Sequence, residues 1–215
     1  MRSMVTNARP RGRPRKDEEP APAEEALEAA LHSFATHGFN GVSVRTLSRE
    51  LGVSHNLLHQ RFGSKEGIWR AAVDHGFGGI VAAILAADDE SVPPLERLHA
   101  FVRTFVRFSA EHPELLRLIN IEGSQPGERL DYITEKFIAP VIARFLPLRD
   151  ELLERGEIRP VPPEMIYYII TSGGGAMFAS RELTERLFGE TSVSATRSDE
   201  YAESFADFLI DALRP

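Results

Sequence analysis

His55 and His59 stand four residues apart in "SHNLLHQRF", a spacing that puts two imidazoles on one face of a helix. Such a pair can grip a transition metal only with further ligands, and no third ligand with suitable spacing follows, so no metal is expected. The same stretch offers a different chemistry. Asn56 and Gln60 carry side-chain amides, each able to donate and accept one hydrogen bond at once, and Leu57 adds an apolar tip. The N6/N7 edge of adenine meets such an amide with a matching acceptor and donor, and the thymine methyl meets a leucine. The remaining histidines, His32, His37, His75, His99 and His112, are scattered, without an HExxH or a nearby nucleophile. No Walker loop, GxGxxG or GxSxG occurs, so an enzyme is the weakest class and no cofactor is expected.

Reading a base edge needs a rigid element that enters a groove, and the flanking residues supply one. Leu27, Ala30, Leu31 and Phe34 form an apolar helical stripe from about 23 to 37, which Gly38 stops. Ser43 caps a short helix bearing Val44, Leu47 and Leu51, and Gly52 ends it. Ser54 caps a third helix with Leu58 and Phe62 inward, and Ser64 opens a fourth whose buried face is Ile68, Trp69, Ala72 and Val73. With Leu58 and Phe62 inward, a step of about 100° per residue turns Asn56 and Gln60 outward, flanked by Leu57 and His59. Two short helices joined by "LGVS" read as a helix-turn-helix, whose second helix can enter a major groove.

Charge is divided in a way that suits contact with an anion at one end only. Residues 1–16, which include "RPRGRPRK", carry Arg2, Arg9, Arg11, Arg13, Arg15 and Lys16 and no acid; with those six set aside, the net −7 of the chain becomes −13. Most of the surface therefore repels phosphate, and a non-specific polyanion binder is disfavoured. Residues 1–22 read as a basic disordered arm and linker. Within them Arg11, Gly12 and Arg13, in "RGRP", resemble the core of an AT-hook, which lies along a narrow A·T minor groove. The absence of cysteine removes disulfides and thiolate metal sites. The basic start is followed by "DEEPAPAEEA" and not by an apolar segment, so no signal peptide is expected. No apolar run is expected to span a bilayer, which takes about 18 residues, and a cytoplasmic protein without a membrane partner follows.

"FATHGFNGVSVRTLSRELGVSHNLLHQRFGSKEGIW" resembles the DNA-binding domain of the TetR family of bacterial transcriptional regulators. Phe34, Gly38, Phe39, Ser43, Leu47, "GVS" at 52–54, Leu58, Phe62 and "SKE" at 64–66 carry the resemblance over about 45 residues. His59, Arg61 and Ser48 depart from the family's usual Tyr, His or Tyr, and Ala. The resemblance implies that His55, Asn56, Leu57, His59 and Gln60 face the operator. It also implies that Arg45 reaches a base edge, where an arginine prefers guanine, and that Ser43 and Lys65 contact phosphate.

Residues 70–215 are again helical by pattern. "PPLERLHAFVRTFVRFSAEH", "PELLRLINIEG" and segments at about 127–155, 162–188 and 198–213 bring the expected total to about nine helices. An all-α fold follows, with an N-terminal three-helix helix-turn-helix domain at 23–69 joined to a helical regulatory and dimerisation domain at 70–215. The resemblance implies a homodimer, a small-molecule effector of unknown identity and a double-stranded DNA operator as partners, and a repressor as the role. An architectural or constitutive DNA-binding protein without an effector is the alternative. Phe101, Phe105, Phe108, Phe137 and Phe178 are candidates to line an apolar pocket, with Asn120, Glu122 or Tyr132 orienting a ligand. The three glycines of "TSGGGAMF" cost an α-helix about 3 kcal/mol relative to alanine, so another helix is expected to pack closely there.

Overall fold

The computed structural model describes residues 23–215, and every regular element among them is helical. The head comprises α1 (Ala23–Gly41), α2 (Val44–Glu50), α3 (His55–Phe62) and the start of α4 (Lys65–Ala87). The body continues with α5 (Pro94–Glu111), α6 (Pro113–Glu122), α7 (128–154), α8 (163–179), α9 (Arg181–Phe188) and α10 (Ala195–Leu213). The all-α expectation holds, with ten helices in place of nine. The extra one arises at Ser180, whose φ of −106° and ψ of 43° split the expected 162–188 helix into α8 and α9.

Local chemistry sets the head's boundaries. Ser43, Ser54 and Ser64 each accept a hydrogen bond from the amide three residues on, at 3.0, 3.1 and 3.0 Å, satisfying a donor that the helix start leaves orphaned. Gly38 interrupts α1 at φ 68°, and Gly52 makes the turn between α2 and α3 at φ 63°. Side chains avoid that left-handed region, so both positions favour glycine.

Two cores hold the molecule. Phe34, Leu47, Leu58 and Trp69 of the head pack with Leu115 and Leu118 of α6 and Ile133 of α7, so the head is seated on the body by continuous apolar contact. Leu98, Val102 and Val106 of α5 form the second with Leu152, Ile166 and Leu209. Contrary to expectation, one apolar helix is long enough for a bilayer. An 18-residue window of α4 has a mean hydropathy of 1.2. That helix gives Ile68, Trp69, Ala72, Val73, Phe77 and Ile84 to the interior, so the fold itself uses its apolar character.

Close packing at the triple glycine is as expected. A Cβ on Gly174 would lie 2.8 Å from Val106 Cγ2 and 3.1 Å from Phe205 Cε1, and one on Gly175 would collide with Leu116 Cδ1. The neighbours are α5, α6 and α10 of the same chain.

Candidate nucleic-acid interface and ligand cavity

The helix-turn-helix presents the amide pair outward. Leu58 is 3% exposed, whereas His55, Asn56, Leu57, His59 and Gln60 all face solvent on α3. Arg45 and Ser43 are exposed at the N-terminal end of α2, and the Ser43 hydroxyl is held by the Thr46 amide and, at 2.8 Å, the Thr46 hydroxyl. Amides on α3 and a guanidinium on α2 are thus all presented to solvent by the helix-turn-helix. Arg11, Gly12 and Arg13 lie outside the described residues.

Lys65 sits differently from a free surface lysine. Its Nζ lies 4.2 Å from the ring centre of Phe39, and Arg129 of α7 lays its guanidinium on the same ring at 4.1 Å. Burial, and then the nearby Arg129 charge, hold the Lys65 pKa below its ordinary value. Arg129 makes a contact with the head that sequence reasoning missed, because it stands in a polar stretch about 60 residues from the head. It joins Phe39 of α1 to Glu122 at the end of α6.

A cavity of about 190 Å³ lies inside the body. Phe77, Ile80, Val81 and Ile84 of α4 form one wall, faced by Phe101 and Phe105 of α5 and by Phe137, Ile138, Val141, Ile142 and Phe145 of α7. Leu116, Ile119 and Asn120 of α6 and Tyr167, Thr171 and Ser172 of α8 complete much of the rest. Among the described residues no charged side chain lines it. Two wide π turns, Thr134–Ile138 and Ile169–Gly173, each direct residues into it. An inserted turn of this kind shifts the helix face by one residue, a recurrent device at binding sites. Thr171 Oγ1 donates to the Tyr167 carbonyl at 2.9 Å within the second turn. Burial, and then Tyr168, push the Tyr167 pKa up, so its hydroxyl stays neutral.

Of the expected lining, Phe101, Phe105, Asn120 and Phe137 are present and four residues are not. Phe108 turns toward His112, with ring centres 4.3 Å apart, and abuts Gly79. Glu122 is buried and accepts two hydrogen bonds from Arg129 Nε. The Tyr132 hydroxyl donates to Asp74 at 2.6 Å. Phe178 packs in the second core, edge-on to Tyr201. Each has a partner that draws it away from the cavity. The α4 wall was missed because its buried face near Trp69 gave no sign of continuing into a ligand space.

Family comparison agrees with this organisation. A model described as "Bacterial regulatory proteins, tetR family" matches residues 26–72, and one described as "Tetracyclin repressor-like, C-terminal domain" matches residues 94–209. A reading head of this kind on such a body defines a DNA-binding transcriptional regulator, not an enzyme. The chain belongs to the TetR family. It is 25% identical over 190 residues to the HTH-type transcriptional regulator RutR of Escherichia coli (strain K12), covering 88% of this chain and 89% of that protein. The TetR family transcriptional regulator PfmR from Thermus thermophilus superposes with a TM-score of 0.68 at 23% identity, covering 89% and 96% of the two chains. The ketosteroid transcriptional regulator KstR2 of Mycobacterium tuberculosis gives 0.70 at 18% identity, covering 92% and 97%.

Proposed function

We propose that the protein is a homodimeric repressor, released from an inverted-repeat operator by a small, uncharged and mainly apolar effector. The observation that carries this reading is the path of α4, which starts at Lys65 beside α3 and lines the cavity wall from Phe77 to Ile84. A ligand that moves the wall thereby moves the reading head. Burying an unpaired charge is costly, so an uncharged lining selects an uncharged ligand. Asn120, Tyr167, Thr171 and Ser172 offer it hydrogen bonds.

In this reading residues 23–69 form the head and 70–215 the regulatory and dimerisation body. Asn56, Gln60, Leu57 and Arg45 read bases, with His55 and His59 beside them. Ser43 and Lys65 hold phosphate, and Arg11, Gly12 and Arg13 of the arm (1–22) add minor-groove contact. A regulator of chromosomal DNA works in the cytoplasm. Met165, Tyr168, Leu183, Leu187, Phe188 and Phe208, each more than half exposed, supply the apolar surface of a dimer. Titrating operator with and without a bound apolar compound tests the coupling. The compound and the operator must weaken each other by the same factor. A compound that fills the cavity and leaves operator affinity unchanged contradicts the effector role.

A further inference from the structure

The cavity has a mouth, and the mouth lies on an uncharged stripe. Among its lining residues the exposed ones are Asn120, Tyr168, Ser172 and Ala176. The last three belong to a row on α8 that recurs every three or four residues. Met165 precedes them, and Ser180, Leu183 and Leu187 continue the row through α9. All are exposed and none is charged. The Ser180 amide ends α8 on the Ala176 carbonyl (2.9 Å), the Thr184 amide begins α9 on the Ser180 carbonyl (3.0 Å), and the Thr184 hydroxyl crosses the break to the Met177 carbonyl at 2.9 Å.

The row is symmetric about Ala176 in size. Large side chains occupy both ends, and Ser172, Ala176 and Ser180 form a small-residue centre. Turning a second copy by a half-rotation about Ala176 sets Ser172 against the partner's Ser180. Small residues at the centre permit close approach, as a self-complementary two-fold contact requires.

We propose that the dimer's two-fold axis passes at Ala176, so that the partner's Ser172, Ala176 and Ser180 close the mouth of each cavity and the ligand site is complete only in the dimer. This rests on the dimer reading above and adds the axis and the shared site. The closed mouth makes ligand escape depend on loosening of the dimer.

The chain has no cysteine, so Ala176→Cys carries its sole thiol. Cross-linking needs Cα atoms within about 7 Å, which only a position near the axis meets against its own copy. Ala176→Cys should form a covalent dimer on mild oxidation. Ser172→Cys and Ser180→Cys should do so only when combined in one chain. Sedimentation run beside this separates the two claims. A dimer in solution whose Ala176→Cys form does not cross-link overturns the axis and leaves the dimer reading standing. A monomer at micromolar concentration overturns both. Nile red, a neutral apolar probe, tests the closure. It should leave the oxidised Ala176→Cys dimer several-fold more slowly than the reduced one. Equal rates overturn the closed mouth, and failure of the probe to bind removes the cavity on which it depends.

Discussion

Arg129 Nε donates to both carboxylate oxygens of Glu122 at 3.0 Å, and that carboxylate is only 4% exposed. The same guanidinium covers Phe39 of the head, so a single side chain ties the end of α6 and the start of α7 to α1. Four residues separate Arg129 from Ile133 in the head's core, and Phe137 of the cavity wall follows four residues later. Removing Arg129 leaves Glu122 buried without its cation, which typically costs about 3–5 kcal/mol. Arg129→Ala is therefore expected to lower the denaturant midpoint strongly. The double variant Glu122→Gln with Arg129→Met should recover much of the loss, as read by urea unfolding.

The head separates specificity from affinity. Asn56→Ala or Gln60→Ala should lose about 1–3 kcal/mol on the preferred operator and relax its sequence preference. Lys65→Ala should weaken all sequences alike and reduce the salt slope by about 1. Titrations at several salt concentrations, on preferred and scrambled duplexes, distinguish the two. A changed preferred sequence in Lys65→Ala, with none in Asn56→Ala, contradicts the docking orientation.

The triple glycine is a packing requirement. Gly174→Ala adds a methyl 2.8 Å from Val106 Cγ2 and 3.1 Å from Phe205, and overpacking of this kind costs about 1–3 kcal/mol. The gain in helix propensity, about 1 kcal/mol, offsets only part of it. Thermal unfolding should show net destabilisation, and Val106→Ala in the same chain should relieve it relative to the sum of the single variants.

At the far end of α4, Asp88 is bound by Arg97 at 2.8 Å and by Arg144, which also pairs with Glu90. Burial pushes the Asp88 carboxyl up, but hydrogen bonds from the two arginines outweigh it and hold the pKa below the ordinary carboxylate value. A carboxyl depressed on folding contributes stability above its unfolded pKa and loses it as pH falls through the folded one. The contribution is thus complete near neutrality and disappears below about pH 4, where an unfolded aspartate already binds its proton. Asp88→Asn should lower stability at pH 7 and flatten the acid limb of the stability profile. An unchanged limb contradicts the role of this ion pair in fastening α4.

The head was legible because its determinants are local. A serine that caps, a glycine that alone tolerates positive φ, and Leu58 placed opposite Asn56 and Gln60 all act within a turn or two. The cavity was only half legible. Nothing local distinguishes Phe105, which faces it, from Phe108, which faces His112. Those orientations depend on which helix crosses nearby, and two π turns shift the faces of α7 and α8 midway. Arg129 and Glu122 needed the meeting of three helices to reveal their pairing.

Selection of bound duplexes from a randomised pool, carried out with the native chain and with the Asn56→Ala, Gln60→Ala variant, tests the DNA-reading role of α3 most directly. The native chain should enrich an inverted repeat whose half-sites lie about one helical turn apart, and the variant should lose that preference while retaining salt-sensitive binding. Enrichment of the same sequence by both proteins, or of none by the native chain, would contradict it.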